Sequence, residues 1–230
     1  PVTRQQLLNG DWDAKIAGER FDRDWFGEPV ELPWDGDWRW VRFWDFAATE
    51  PKPGTDPDWT VGTLVGYDRT HDLWLVADVV RFRGSPGTVK QRVAAVANMD
   101  GPTVPVRIEQ EGGSAGKLFV DEMQRLLLGY DVRGIPPVGS KEIRANAPSA
   151  RAEARKVRIV EGPWNTDWFE ELEVFPHGQH DDQVDSFSGA YHAIAASGVV
   201  QQIQTRPQWE EPTIRRDGLT LVGDEYNDEE

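Results

Sequence analysis

Three carboxylates fall within five positions of the chain, at Asp181, Asp182 and Asp185. An apolar pattern of helical period follows them, so they lie at the start of a predicted helix. Two further acids, Asp45 and Glu109, lie at the ends of strand-like runs upstream. Unpaired buried carboxylates are energetically costly, whereas Mg²⁺ and Mn²⁺ prefer hard oxygen ligands and keep positions open for water and phosphate. If the three segments converge, they predict a site for two divalent metal ions that hydrolyses phosphodiesters.

Each of the two upstream segments has a favoured ligand. Asp45 lies between aromatic residues in the run FWDFAA, where a carboxylate is more often functional than structural. Glu109 and Glu111 are two residues apart, so they would share one face of a strand. Glu109 lies deeper in the apolar run and is the favoured ligand. Glu111 stays open as an alternative, or as a residue just outside the metal ligands.

At the start of the last helix, capping is the simpler interpretation, because Asp is favoured at helix N-termini. One Asp is enough for a cap, and two adjacent residues plus a third one turn later exceed that need. Asp182 is the favoured metal ligand, and Asp181 stays open as a second ligand or as its alternative. Asp185, the neighbouring His180 and Asp58, which opens the second predicted strand, are predicted to lie just outside the metal ligands.

The sequence excludes several other kinds of site. The chain has no cysteine, hence neither disulfides nor thiolate zinc ligands, and its four histidines have no zinc-site spacing. Residues 112–117, with the sequence GGSAGK, imitate a phosphate-binding P-loop, but three residues rather than four separate the glycines and Leu118 follows the lysine. Nucleotide hydrolysis is therefore rejected. The backbone N–H groups of this helix start, and Lys117, are still predicted to contact a DNA phosphate.

The net charge of −15 is unusual for a protein that handles nucleic acid, but the charge is unevenly distributed. Acidic residues concentrate in residues 11–37 and 210–230, whereas residues 140–158 carry an excess of positive charge. Within this basic stretch, the predicted contacts to DNA phosphates are Lys141, Arg144, Arg151 and Arg155.

The order of the predicted elements indicates how these residues are positioned. Three strand-like runs come first, and helices and strands then alternate. Strands are predicted at residues 38–47, 59–67, 73–82, 104–110, 130–135 and 157–161, and helices near 85–99, 114–128, 141–155, 164–173 and 181–200. An antiparallel three-strand meander followed by parallel strands, flanked by helices, is the α/β arrangement of the ribonuclease H-like fold. Right-handed crossovers would place the ends of the first and fourth strands side by side, and with them Asp45 and Glu109.

Composition divides the chain into three parts. Residues 1–37 are predicted to be a lead-in or linker, residues 38–200 the catalytic domain and residues 201–230 an acidic flexible tail. No apolar run approaches the roughly 20 residues that cross a membrane, and no signal-peptide pattern is present. Because the first residue is Pro rather than Met, the chain is interpreted as part of a longer protein.

Taken together, four segments and the lead-in resemble the C-terminal nuclease domain of tailed-phage terminase large subunits. The segments are FWDFAAT at 43–49, DPDWT at 56–60, IEQEGGSAGK at 108–117 and FPHGQHDDQVD at 175–185. The lead-in LLNGDW at 7–12 also resembles the stretch that joins such domains to an N-terminal ATPase. The resemblance covers roughly residues 5–200, and the combination is more specific than any one motif.

This resemblance implies an endonuclease that cuts double-stranded concatemeric phage DNA during genome packaging, with two Mg²⁺ or Mn²⁺ ions as cofactors. It implies that Asp45, Glu109 and Asp182 match the acidic triad of the family. The expected partners are DNA, an N-terminal ATPase domain that is missing from this chain, the phage portal and the small terminase subunit. The expected location is the host cytoplasm, at the procapsid.

The residues alone leave two alternative functions open. Another enzyme of the same fold, such as a Holliday-junction resolvase or a transposase core, would use a similar set of acids. A non-catalytic phage assembly or docking module would suit the net charge of −15 and the acidic tail. Cleavage of branched against linear duplex separates the first alternative, and metal-dependent nicking separates the second.

Overall fold

A six-stranded sheet is the framework of the domain. The computed structural model describes residues 20–32, 36–47 and 54–197. The strands are β1 (Trp38–Asp45), β2 (Thr60–Asp68), β3 (Leu73–Phe82), β4 (Val106–Glu109), β5 (Val132–Ile135) and β6 (Val157–Ile159). The helices of the described residues are α1 (Pro86–Asp100), α2 (Gly113–Leu126), α3 (Lys141–Glu153), α4 (Asn165–Leu172) and α5 (Asp182–Ala196). None of them is long and apolar enough to cross a membrane.

The strand order is β5-β4-β1-β2-β3-β6, with β1 near the centre. The strands β1, β2 and β3 form an antiparallel meander, and β4, β5 and β6 join it in parallel with their neighbours. This confirms the mixed sheet that the sequence predicts. The last helix ends at Ala196, earlier than the predicted end at residue 200, and the acidic tail at 201–230 lies outside the described residues.

Helices cover both faces of the sheet because successive side chains of a strand point to opposite faces. In β1, Phe43 belongs to the apolar cluster that includes side chains of α3, α4 and α5. Its neighbour Trp44 belongs to the cluster formed with α1, α2, β4 and β5. The helix α5 packs directly against β1 and β2, and the acids at its start lie near the end of β1 and the start of β2.

A buried ion pair connects β1 to the far end of α1. Arg42 is only 1% exposed, and its guanidinium donates to both carboxylate oxygens of Asp100 at 2.7 Å. It also donates to Asp78 of β3 at 2.8 Å and to the carbonyl oxygen of Gly62 at 3.0 Å. Burial alone would lower the pKa of Arg42, but the charges of Asp100 and Asp78 outweigh burial and raise it. The arginine is therefore held charged inside the sheet–helix interface.

Residues 20–32, which the sequence assigns to the lead-in, also contribute to this core. Phe21 and Phe26 are buried, and the ring of Phe26 packs edge-on against Trp168 of α4 at a centroid distance of 5.1 Å. Val30 forms a parallel bridge with Val160, just beyond β6. The first 19 residues lie outside the described part of the chain.

A close approach between α5 and β1 depends on Gly189. A Cβ atom at this position would overlap the ring of Phe43 in β1. Alanine is favoured over glycine by about 1 kcal/mol inside a helix, so the absence of a side chain here reflects packing rather than helix stability. Without this close approach, α5 could not bring its N-terminal acids down onto the sheet.

We therefore expect Gly189→Ala to lower the melting temperature, because overpacking costs about 1–3 kcal/mol and exceeds the gain in helix propensity. The matched control is Gly87→Ala in α1, where a Cβ would meet only Ser85 Oγ, at 3.9 Å. The control should melt at the same temperature as the wild type or above it. Equal melting temperatures for the two variants in a thermal scan would contradict this account of the α5–β1 contact.

Candidate active site

Two carboxylates meet at one edge of the sheet. The strands β1 and β4 run in parallel with Trp44 opposite Ile108, and the next residues, Asp45 and Glu109, end these strands. Sequence reasoning placed these two acids side by side, and the structure brings them together. The sequence predicted that Glu111 shares a strand face with Glu109. In the structure Glu111 lies beyond the end of β4 and is exposed, so this prediction is wrong.

The start of α5 supplies the other acids. Asp182 and Asp185 are buried, and one carboxylate oxygen of Asp182 accepts a hydrogen bond from the backbone N–H of Trp59 at 3.0 Å. Asp181 occupies the N-cap position, but its side chain makes no capping hydrogen bond. Capping therefore does not explain these three acids, and their side chains are directed to other partners.

Crowding of these carboxylates affects the pKa of Asp45. Burial, followed by the negative charges of Glu109, Asp185 and Asp182, raises the pKa of Asp45 from 3.8 to about 8. Burial likewise raises the pKa values of Glu109, Asp182 and Asp185. The charges of Lys141 and Arg144 oppose the increase at Glu109 and Asp185, and the hydrogen bond from the Trp59 N–H opposes it at Asp182. The cluster cannot bear all its negative charges without a cation nearby, and a divalent metal ion with oxygen ligands fits this set of donors.

Two cations from α3 occupy one side of the acidic cluster. Lys141 Nζ lies 2.6 Å from Asp181 and 2.7 Å from Asp185, and Arg144 lies 2.7 Å from Asp185 and 3.5 Å from Glu109. Burial alone would lower the pKa of Lys141, but its hydrogen bonds to Asp181 and Asp185 raise it. The sequence assigned both cations to DNA phosphates, and the structure places them among the proposed metal ligands instead of on a separate surface.

The remaining predicted DNA contacts lie elsewhere. Arg151 pairs with Asp72 at 2.9 Å, and Arg155 donates to the backbone carbonyl of Asp24 at 2.9 Å. Lys117 is exposed near the start of α2. The fold thus divides the basic stretch of the sequence. Lys141 and Arg144 lie at the acidic cluster, Arg151 at the turn between β2 and β3, and Arg155 at the N-terminal segment.

On the other side of Asp182 lies a smaller group that combines acids with a histidine. Ligand atoms of Asp58, His180 and Asp182 all lie within 4.8 Å of one another. The opposite ring nitrogen of His180, Nε2, lies 2.8 Å from Asp56, which also pairs with Arg83 at 2.5 Å. Asp56 precedes a proline, a position typical of ordinary turns, so its local sequence carries no signal of these long-range contacts.

Comparisons with known proteins agree with the fold of this domain. Residues 42–193, well over half of the chain, match the family described as the terminase RNaseH-like domain. The chain belongs to this family. The resemblance to phage terminase nuclease domains that the sequence motifs suggest is therefore confirmed, as is the ribonuclease H-like arrangement of the sheet. No curated protein sequence matches the chain.

Solved structures of terminases share the fold at low sequence identity. The nuclease domain of the large terminase of phage P22 superposes with a TM-score of 0.59 at 14% identity, over 79% of this chain and 93% of that one. The large terminase nuclease of the thermophilic phage G20c with bound magnesium gives 0.52 at 17% identity, over 76% and 98%. The same nuclease with bound zinc gives 0.52 at 19% identity, over 74% of this chain and 96% of that one.

Within the terminase RNaseH-like family, this chain thus places four acids from three elements at one sheet edge. Asp45 comes from β1, Glu109 from β4, and Asp182 and Asp185 from α5. The negative charges of both Asp185 and Asp182 contribute to the raised pKa of Asp45. The preference for Asp182 over Asp185 as a metal ligand, which rests on the sequence, stays a prediction.

Proposed function

We propose that this domain is a metal-dependent endonuclease that cuts double-stranded concatemeric phage DNA during genome packaging. The observation that carries the proposal is the convergence of Asp45, Glu109, Asp182 and Asp185 at one edge of a terminase-family sheet. Asp182 and Asp185 are buried and Asp45 and Glu109 are half-buried, so keeping these four carboxylates together is costly, and helix capping does not account for them.

In this proposal Asp45, Glu109 and Asp182 are the catalytic acids, and Asp181 and Asp185 complete the surroundings of two Mg²⁺ or Mn²⁺ ions. When bound, such ions supply an activated water and stabilise the leaving 3′ oxygen. Asp45 must release its proton to act as a ligand. Lys141 and Arg144 neutralise the carboxylates of the metal-free domain, and DNA phosphates offer these two cations an alternative anionic partner.

The wider context follows from the family and is part of the same proposal. An N-terminal ATPase domain, the portal and the small terminase subunit would hold DNA at the nuclease, in the host cytoplasm at the procapsid. Phosphate contacts from Lys117, Arg151 and Arg155 would add affinity without sequence preference, because phosphates carry no base information. With a net charge of −15, the isolated domain is expected to bind DNA weakly.

The first test is cleavage of supercoiled plasmid and of linear duplex by the purified domain. We expect cleavage with Mg²⁺ or Mn²⁺, binding without turnover with Ca²⁺, and no cleavage in excess EDTA, because the proposed ligands are carboxylate oxygens. A four-way junction of the same sequence serves as the comparison substrate. Cleavage confined to the junction would favour a resolvase, and cleavage that persists in EDTA would exclude the metal-dependent reaction.

A second prediction concerns the cations inside the acidic cluster. We expect Lys141→Met to tighten Mn²⁺ binding about tenfold, equivalent to ~1.4 kcal/mol, because it removes a positive charge that competes for Asp181 and Asp185. The same variant should cleave DNA more slowly at saturating metal. Isothermal titration calorimetry measures the affinity, and Lys117→Met, which removes an exposed lysine of α2, is the matched control. An unchanged or weaker Mn²⁺ affinity in Lys141→Met would contradict competition between the lysine and the metal.

A further inference from the structure

The group formed by Asp58, His180 and Asp182 differs in chemistry from the main acidic cluster. It adds an imidazole nitrogen to two carboxylates, and the cations Lys141 and Arg144 contact the opposite side of the cluster, at Asp181, Asp185 and Glu109. Asp58 is exposed just before β2, His180 lies in the loop before α5, and Asp182 begins that helix. Three separate positions of the fold therefore deliver donor atoms to one point.

The orientation of His180 is set by its outer nitrogen. Nε2 lies 2.8 Å from a carboxylate oxygen of Asp56, and the other nitrogen, Nδ1, lies 3.7 Å from Asp58 and 3.8 Å from Asp182. When Nε2–H donates to Asp56, Nδ1 carries a free lone pair. In metal-binding histidines, a hydrogen bond from the other ring nitrogen to a carboxylate fixes the tautomer and the orientation of the imidazole.

Asp56 is itself held in place. It accepts hydrogen bonds from Arg83 at 2.5 Å and from the side-chain amide of Gln179 at 2.6 Å. These contacts fix the carboxylate that orients His180, so the direction of Nδ1 does not depend on a freely rotating partner. The support behind the histidine is therefore built before any ligand binds.

The inner nitrogen of His180 has no hydrogen-bond partner. Within the described part of the chain, Nδ1 is a buried atom that no donor or acceptor satisfies. Its distances to the carboxylates of Asp58 and Asp182 are too long for hydrogen bonds. They match instead the separation of about 3–4 Å between ligand atoms around a cation with bonds of about 2.1 Å.

Asp182 connects this group to the main cluster. One of its oxygens accepts the Trp59 N–H at 3.0 Å, and its charge is among those that raise the pKa of Asp45. The charges that meet here are three carboxylates, counting Asp56, against the guanidinium of Arg83. The local balance is negative and suits a divalent cation.

We propose that Asp58, His180 and Asp182 form a site for a transition-metal dication of the Mn²⁺, Co²⁺ or Zn²⁺ class, selective against Mg²⁺. The selectivity follows from the imidazole nitrogen, a ligand that suits these metals and that Mg²⁺ disfavours. The site deepens the proposed nuclease function, since Asp182 is common to both. Metal binding to it is nevertheless measurable without any cleavage assay.

The test is a titration of the metal-free domain with Co²⁺, followed by its visible absorption and by calorimetry, and a parallel titration with Mg²⁺. The wild type should bind Co²⁺ more tightly than Mg²⁺. His180→Gln should weaken Co²⁺ binding at this site at least tenfold and change Mg²⁺ binding little. Asp56→Asn should weaken Co²⁺ by about tenfold, although it removes no ligand, because it releases the histidine. His177→Gln, an exposed histidine in the same loop, is the matched control and should bind Co²⁺ like the wild type.

Two further variants distinguish a failure of the proposed metal site from a failure of the proposed nuclease function. Asp58→Asn changes an exposed side chain, so it should weaken Co²⁺ binding without affecting the melting temperature. Asp45→Asn should abolish cleavage yet keep Co²⁺ bound to His180. His180→Gln, which removes only the Co²⁺ site, should still show measurable cleavage with Mg²⁺. The proposal is overturned if His180→Gln and Asp58→Asn both bind Co²⁺ as tightly as the His177→Gln control. It is also overturned if His180→Gln weakens Mg²⁺ and Co²⁺ to the same extent.

Discussion

Asp45→Asn is expected to reduce DNA cleavage by about 10³-fold or more while raising the melting temperature of the metal-free domain. The loss of activity follows because the amide removes a negatively charged ligand from the centre of the cluster. The gain in stability follows because burial and three neighbouring acids raise the pKa of Asp45 from 3.8 to about 8. An asparagine has no charge to bury or to repel.

The gain in stability of Asp45→Asn depends on pH, because Asp45 has different pKa values in the folded and unfolded chain. The folded domain keeps the proton on Asp45 up to about pH 8, whereas the unfolded chain releases it near the ordinary value of 3.8. The metal-free wild type therefore loses stability as the pH rises between these two values, and the variant lacks this loss. Thermal scans in EDTA at pH 5 and pH 8 should show a gain of several degrees for Asp45→Asn, larger at pH 8.

Glu111→Gln is the matched control for this measurement, because Glu111 is an exposed acid beyond the same strand as Glu109. Its melting temperature should equal that of the wild type at both pH values. A melting temperature that falls by several degrees in Asp45→Asn at pH 8 would show that Asp45 stabilises the fold, and the functional interpretation of the cluster would fail.

The second large effect is expected at the buried ion pair between β1 and α1. Asp100→Ala should destabilise the domain by about 3–5 kcal/mol, because it leaves the guanidinium of Arg42 buried without its principal partner. Arg42 is 1% exposed and donates two hydrogen bonds of 2.7 Å to Asp100. Urea denaturation followed by circular dichroism measures the change in the free energy of unfolding.

Two comparisons test the physical cause. Asp78→Ala should cost less, since the Asp78 side chain is 37% exposed and solvent can replace it. The double variant Arg42→Met/Asp100→Leu should recover much of the lost stability, because it removes the buried charge together with its partner. If the double variant is less stable than Asp100→Ala, an unpaired charge is not the reason for the loss.

The arrangement of the sheet could be predicted from the sequence because it depends on local pattern and on general rules of chain connection. Strand alternation and helical period gave the order of elements, and the right-handed crossover rule brought the ends of β1 and β4 together. That was enough to place Asp45 beside Glu109. Both residues end their strands, so small errors in the predicted boundaries did not change their position.

The rest of the site depends on contacts that no local pattern encodes. The packing of α5 on β1 and β2, in which Gly189 lies against Phe43, decides how Asp182 and Asp185 face the sheet. Lys141 lies 40 residues from Asp181 in sequence, and only the packing of α3 against α5 brings them into a salt bridge. The contact between Asp56 and His180 spans 124 residues and was missed for the same reason.

The acids of the proposed site are also spread along the chain in an order that matters during its synthesis. Asp45 and Glu109 leave the ribosome first, whereas Asp182 and Asp185 belong to α5, the last helix of the described residues. Domains are made from the N-terminus at about 5–20 residues per second, so a growing chain spends seconds without the acids at the start of α5. The site exists only once α5 has packed on β1 and β2. An unfinished or truncated copy of this domain would therefore lack acids on which the proposed nuclease activity depends.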